Sequence, residues 1–403
     1  MTDASAGEDG KHREEKVFRL RSNLSALAHL YHFNQGSCAP VPLPAQEALL
    51  AGISEETRSG RVGPNAYPGL RRRMRALREH LETLIAGAPG SVALTHRTTD
   101  GMNVALLGQP WQSGDVLLTT SLEHVGGVAS VPLLRERFGV VPRIVDVGLG
   151  ESDRVLASLE DALRREPRAR LLVASHVAYS TGAVLPIRQM ASLCHAHGVR
   201  IAVDGAQSVG AIPTSVTELG VDYLAFPAQK WLFGPEGLGG LYVSPEVLRD
   251  TFPPVSGGAS FSEEDTTRLH FTFHPDARRF EVGTSMHHPS VQAFEASLGW
   301  LESDVGLPWL FSRVERVARS LRQRSEALGA ALKPITPEGG PSGLLVLAST
   351  TRPAEDLVQE AYARRIVIRS VPPNAIRISA SFFHTEADLE VLFAWLREAG
   401  VRP

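Results

Sequence analysis

From residue 92 onward, short β-rich runs alternate with amphipathic helical stretches, and no other feature of the chain restricts its fold as much. Strands that return in parallel need a helical crossover, so the alternation predicts an α/β fold built on a mainly parallel sheet. The predicted strands are 92–95, 115–120, 141–147, 169–177, 200–205, 222–226 and 239–244. Helices are predicted near 45–58, 68–86, 99–107, 125–137, 155–165, 187–197 and 290–304, with no internal repeat. Pro253, Pro254, Gly257 and Gly258 open an irregular stretch over 253–290 that reads as a long active-site loop.

Beyond the loop, 308–333 reads as a helix, 342–348, 366–369 and 375–379 as strands, and 385–398 as a helix. Thr385 with Asp388 three positions on forms the signature of a capped helix start. The expected organisation is a large domain over 16–290 and a smaller α+β domain over 291–403, completed by residues from the N-terminal part. Residues 1–15 are polar, without the apolar stretch of a signal peptide, and are expected to be a disordered arm.

Charge excludes some functions. A formal net charge of -3 over 403 residues gives no global attraction to nucleic acid or to an anionic membrane. The basic run Arg71-Arg72-Arg73-Met74-Arg75, with Arg78, fits an exposed or dimer-facing helix face better than a nucleic-acid site. Cys38 and Cys194 are too few for a disulfide framework, no apolar run is long enough to span a bilayer, and the histidines show no metal-ligand spacing. The expected partners are a small molecule and a second subunit, in the cytoplasm.

Three segments carry chemistry. In Arg200-Ile-Ala-Val-Asp204, an apolar strand delivers a carboxylate at its C-terminal end, where open α/β sheets bind ligands. Such an acid can hold a proton on a heterocyclic nitrogen, although many acids so placed merely cap the next helix. Gln207, three residues on, can donate a hydrogen bond to the same ligand. Lys230 lies between the apolar run Tyr223–Pro227 and a glycine-rich turn, flanked by Phe226, Trp231 and Phe233. Apolar surroundings favour the neutral amine needed to form an imine, whereas a surface lysine would stay charged.

The third segment, Val92 to Asn103, runs from strand through polar turn into helix, so Thr98 and Thr99 either bind a phosphate at the helix start or simply cap it. His124 follows the strand 115–120 and is placed to lie against a heteroaromatic ring, although a lone histidine is more often structural. The order of all these pieces points to pyridoxal 5'-phosphate (PLP).

With these motifs assembled, the chain resembles the class V aminotransferase family of fold-type I PLP enzymes, on the cysteine/cystine lyase and isopenicillin N epimerase-like branch. The segments carrying the resemblance are Val203-Asp-Gly-Ala-Gln-Ser-Val-Gly210 and Gln229-Lys-Trp-Leu-Phe-Gly-Pro-Glu-Gly-Leu-Gly239. The resemblance implies a large domain with a mixed seven-stranded sheet and a smaller α+β domain. It implies that Lys230 carries PLP as a Schiff base and moves the α-proton. Asp204 would hold the ring nitrogen, Gln207 the phenolic oxygen, and His124 would stack on the ring.

By the same resemblance Thr98 and Thr99 match the phosphate turn, and Gln229 stands where many relatives have a phosphate-reaching His. Thr284 would touch the phosphate of the neighbouring subunit, making a homodimer with shared active sites. Arg377 would grip the substrate α-carboxylate. Tyr67, Tyr179, Phe261, His287 and His288 are candidates to shape the substrate pocket.

Two departures narrow the activity. Cysteine desulfurases need a thiolate late in the chain, and no Cys follows Cys194; Cys38 lacks an activating partner in sequence. Ala178 stands where many desulfurases carry an Asn. The leading expectation is therefore a carbon–sulfur β-lyase acting on a cysteine-derived amino acid. Epimerisation and transamination are the alternatives, and the joint presence of Asp204 and Lys230 argues against a non-catalytic relative.

Overall fold

The computed structural model describes residues 14–62, 64, 66–283, 286–340 and 342–401. After a short strand β1 (Tyr31–His32), seven strands build the central sheet: β2 (Val92–Thr95), β3 (Val116–Thr120), β4 (Val141–Val145), β5 (Ala169–Ser175), β6 (Arg200–Asp204), β7 (Tyr223–Pro227) and β8 (Gly239–Val243). Their spatial order is β2-β8-β7-β6-β5-β3-β4. Only β8 runs against its neighbours. Because β8 lies between β7 and β2, β2 regains the common direction, and the C-terminal ends of β2, β3, β5, β6 and β7 open on one rim.

Burial follows the two-residue period of the strands. Leu172 and Ala174 of β5 join one apolar cluster, while Leu171 and Val173 join the cluster on the opposite face. Covered on both faces, the strands of this sheet are mostly apolar, with charged exceptions such as Arg143 and Arg170 exposed toward solvent, so buried chemistry gathers at the strand ends. The helix Thr98–Leu107 follows β2 and lies close on the sheet because residue 101 is glycine. A Cβ there would stand 2.8 Å from the Ala225 Cβ.

Strands β9 (Phe261–Asp265) and β10 (His270–Phe273) form a hairpin inside the segment expected to be irregular. The C-terminal part contains β11 (Leu332–Pro334), β12 (Leu344–Ser349), β13 (Ile366–Val367), β14 (Arg369–Val371) and β15 (Ala375–Ser379). Four of these make an antiparallel sheet in the order β11-β12-β15-β14, while β13 pairs in parallel with β1. The N-terminal segment thus joins the C-terminal part, and Phe33 is buried in its core.

Several boundaries shift for physical reasons. The helix expected over 308–333 stops at Ser325, and after a 3-10 turn the chain enters β11. The helix expected over 125–137 is two pieces, Val125–Val128 and Val131–Phe138, the second opening with Pro132. The run 366–369 divides between β13 and β14, which belong to different sheets. The capping box at the last helix is formed: Thr385 N donates to Asp388 Oδ2 at 2.8 Å, and Asp388 N to Thr385 Oγ1 at 3.3 Å. Residues 1–13 of the expected arm lie outside the described residues, and 14–15 are already helical.

Candidate active site

The rim of the sheet and the four-stranded sheet enclose a cavity of about 310 Å³. Strand β2 leads to Thr98 and Thr99, β3 to His124, β5 to Ser175, β6 to Asp204 and Gln207, and β7 to Gln229 and Lys230. Arg369 and Arg377 enter from β14 and β15, and the N-terminal turn contributes Gly36 and Ser37. Tyr179 also lines this space.

Lys230 is almost wholly buried at its amine, and burial brings its pKa down to about 8, with the Asp204 carboxylate opposing the shift. No hydrogen bond or ion pair from the described residues engages Nζ. Asp204 is buried, and its burial pushes the carboxyl up while the Lys230 charge pulls it back. Its Oδ1 accepts from Ala206 N at 2.8 Å. Oδ2 receives no hydrogen bond among the described residues, which leaves an acceptor for a protonated heterocycle.

Thr98 and Thr99 are the first two residues of their helix, and the cap position falls to Arg97, whose side chain does not cap. The threonines therefore stand at the helix start with the free amides, as an oxyanion ligand requires. Gln229 Oε1 is buried without a partner. His124 Nδ1 accepts from Gly126 N at 3.0 Å, so its proton sits on Nε2. Burial, with Lys230 adding to it, lowers its pKa and keeps the ring neutral. The ring meets Tyr179 edge-on at 4.8 Å.

Arg377 is 1% exposed, in the middle of β15, and is not the surface strand arginine that its sequence context also permits. Its Nη2 donates to Ser37 Oγ at 3.1 Å and its Nη1 to the Tyr179 carbonyl at 3.4 Å, while Nε has no partner. Neither Arg377 nor Arg369 forms an ion pair among the described residues. Arg369 stands directly opposite Arg377 in the β14–β15 register and also donates to Ser37 Oγ, at 3.2 Å. Like charges so placed repel, and burial with the Arg369 charge brings the Arg377 pKa down to about 9. An anion between the two would relieve both.

Eight of the nine expected site residues thus converge: Lys230, Thr98, Thr99, His124, Asp204, Gln207, Gln229 and Arg377. Thr284 lies outside the described residues. Of the pocket-shaping candidates only Tyr179 lines this cavity. Tyr67, His287 and His288 line a separate one beside the helices Leu43–Ser59 and Ala66–Leu84, and Phe261 a third. No described residue of 253–290 lines the cavity of its own chain; Thr284, expected at the neighbouring subunit's site, lies outside the described residues. The irregular composition there serves a surface hairpin.

Sequence reasoning missed Arg369, Ser37, Arg97 and Trp231. An arginine inside an otherwise apolar strand was available as a signal at 377, whereas Arg369 opens the short strand Arg-Ser-Val, and their facing register was not legible. Neither cysteine lines the cavity. Cys194 is buried, its thiol pushed up to about 12 by burial, and Cys38 Sγ lies 3.8 Å from Glu236 Oε1, its thiol pushed up by burial and that acid. Arg71, Arg72, Arg73 and Arg75 are exposed on their helix. No group of three or more potential metal ligands occurs among the described residues.

An α/β rim that buries a lysine above a carboxylate, beside a helix-start oxyanion cradle, defines a fold-type I PLP-enzyme architecture. The profile of the Aminotransferase class-V family matches residues 62–333, and the chain belongs to that family. A probable cysteine desulfurase of Methanothermobacter thermautotrophicus is 27% identical over 269 residues, covering 66% of this chain and 65% of the relative. A cysteine desulfurase of Klebsiella pneumoniae is 33% identical over 221 residues, 53% of this chain and 52% of the relative.

A probable cysteine desulfurase of Mycolicibacterium paratuberculosis is 33% identical over 217 residues, which is 52% of this chain but 30% of that protein. The matches therefore span less than two thirds of these curated relatives. Among solved structures, the cystine C-S lyase C-DES in complex with cysteine persulfide superposes with a TM-score of 0.87 at 28% identity, covering 93% of this chain and 99% of that one. A C-DES variant with glycine covalently linked to its PLP cofactor gives 0.88 at 28%, covering 94% and 99%.

Proposed function

We propose that this protein is a PLP-dependent carbon–sulfur β-lyase acting on a cysteine-derived amino acid. The observation that carries the reading is Arg377, a buried guanidinium without an acidic partner among the described residues, in the same cavity as buried Asp204 and the buried amine of Lys230. Bound there, PLP would supply an electron sink for the charge left when a bond at the substrate α-carbon breaks.

The residues fit the group. Thr98 and Thr99 would hold its phosphate, Asp204 Oδ2 the proton on its ring nitrogen, and His124 one face of its ring. Lys230 Nζ, its pKa brought down to about 8, would take the proton from the substrate α-carbon. Arg377 would bind the α-carboxylate through a guanidinium fork. Arg369, facing it across two strands, favours a substrate with a second anionic group beyond the sulfur.

Cys194 is buried, and the half-buried Cys38 beside Glu236 has its thiol pushed up by burial and that acid; neither is a ready thiolate to take up sulfur, which supports release of the sulfur product over transfer to the protein. The reading includes a cytoplasmic homodimer, which light scattering of the purified protein tests. The activity is tested by visible absorbance of wild type and Lys230→Ala, followed by addition of cystine, cysteine conjugates and plain amino acids. A visible band lost in the variant, with pyruvate formed only from sulfur substrates, is the expected result. Spectral change without pyruvate would replace the lyase by transamination or epimerisation.

A further inference from the structure

Gln207 is held by two partners that can each play only one part. The indole N–H of Trp231 can only donate, and it meets Gln207 Oε1 at 2.9 Å. The Gly36 carbonyl can only accept, and Gln207 Nε2 donates to it at 2.8 Å. The two ends of an amide are look-alikes in shape, but these one-way partners leave a single orientation. One hydrogen of Nε2 is used by Gly36, and the second remains for the cavity that Gln207 lines.

The donor behind this arrangement is itself fixed. Trp231 is 2% exposed and packs in a small apolar cluster with Val177, Ala211 and Leu344. The Gly343 backbone admits its ring so closely that a Cβ there would stand 2.9 Å from Trp231 Cη2. Crowding explains why the amide needs such a tie. A Cβ on Gly36 would stand 3.0 Å from Gln207 Oε1 and 3.1 Å from Arg377 Nη2, so the amide oxygen and the guanidinium share one corner. Without the indole N–H, Oε1 would be a buried acceptor with a strong donor beside it, and an unsatisfied acceptor is drawn to the nearest donor.

We propose that Trp231 is a positioning residue whose indole N–H locks the Gln207 amide, so that Oε1 is engaged by the indole instead of the neighbouring Arg377 and an N–H faces an electron-rich oxygen of the bound ligand. The inference rests on the PLP reading for the identity of that oxygen, the ring's phenolic oxygen. A donor aimed at this oxygen stabilises its deprotonated form. Loss of the donor raises the pH at which the visible band of the bound cofactor titrates.

The experiment is a spectral pH titration of the cofactor-loaded protein as wild type, Trp231→Phe and Gln207→Leu, with the double variant. A hydrogen bond to a charged group is strong enough to move a pKa by about a unit, so an upward shift of about one pH unit is expected for Trp231→Phe. The double variant should shift no further than Gln207→Leu alone. Since a buried tryptophan can be needed for folding, benzothienylalanine at position 231 is the second test, keeping the bicyclic shape and lacking the N–H. It should shift like Trp231→Phe. Wild-type titration with the cofactor bound and near-UV dichroism unchanged would overturn the role of Trp231. A wild type that shows no visible band with added PLP would instead sink the cofactor reading, and this inference with it.

Discussion

In the seven-stranded sheet the strand interiors are mostly apolar and chemistry begins where the strands stop, whereas in the four-stranded sheet a buried guanidinium sits in mid-strand opposite a second one. In the first arrangement Asp204 ends β6 and Lys230 follows β7, so each buried charge has the other to offset part of its desolvation. The second holds two like charges across one ladder, without an acidic partner among the described residues. On the proposed reading a ligand anion supplies the missing negative charge, so that the large sheet would position the reacting groups and the small one would select the ligand's charge.

The comparison breaks most readily at the lysine. Lys230→Ala should lower pyruvate release by about 10³-fold or more, since it removes both the amine and the proton carrier. Arg377→Met should lower kcat/KM by roughly 30- to 100-fold, the loss of two charge-assisted hydrogen bonds to a carboxylate. The cofactor-free Arg377→Met protein should be no less thermally stable than wild type, because an unpaired buried cation is exchanged for an apolar side chain of similar length. Marked destabilisation would show that the arginine is structural.

Arg369→Gln sharpens the comparison further. It should weaken substrates that carry a second anionic group by about 10-fold and monocarboxylate substrates by less, measured as KM for each. The smallest effect concerns pH. The folded pKa of Lys230 is about 8, below its unfolded value of 10.5, so the unfolded chain binds more protons between those pH values. Burial of the charged amine penalises the fold below pH 8, and the penalty fades as pH rises to 10.5. Denaturant titrations of cofactor-free protein should show this gain, at most ~3 kcal/mol, and Lys230→Met should lack it.

Much of this was legible in sequence because strand-end chemistry leaves a linear trace. An apolar run followed by Asp204, and another followed by Lys230, named both the fold and the residues at its rim. The register of β14 against β15 leaves no such trace: nothing in the residues 366–379 says that Arg369 faces Arg377. The Trp231–Gln207 bond joins residues 24 apart whose proximity depends on β6 and β7 pairing side by side. The hairpin β9–β10 inside 253–290 was hidden for the opposite reason, since the prolines and glycines there mark irregular backbone without saying which face of the molecule it covers.

Only four lysines occur in the chain, at positions 11, 16, 230 and 333, which makes the central claim directly measurable. Protein loaded with PLP, reduced with borohydride and digested should carry the phosphopyridoxyl group on the peptide containing Lys230 alone, as read by mass spectrometry. Stable labelling of another lysine in preference, or of none, would contradict the account.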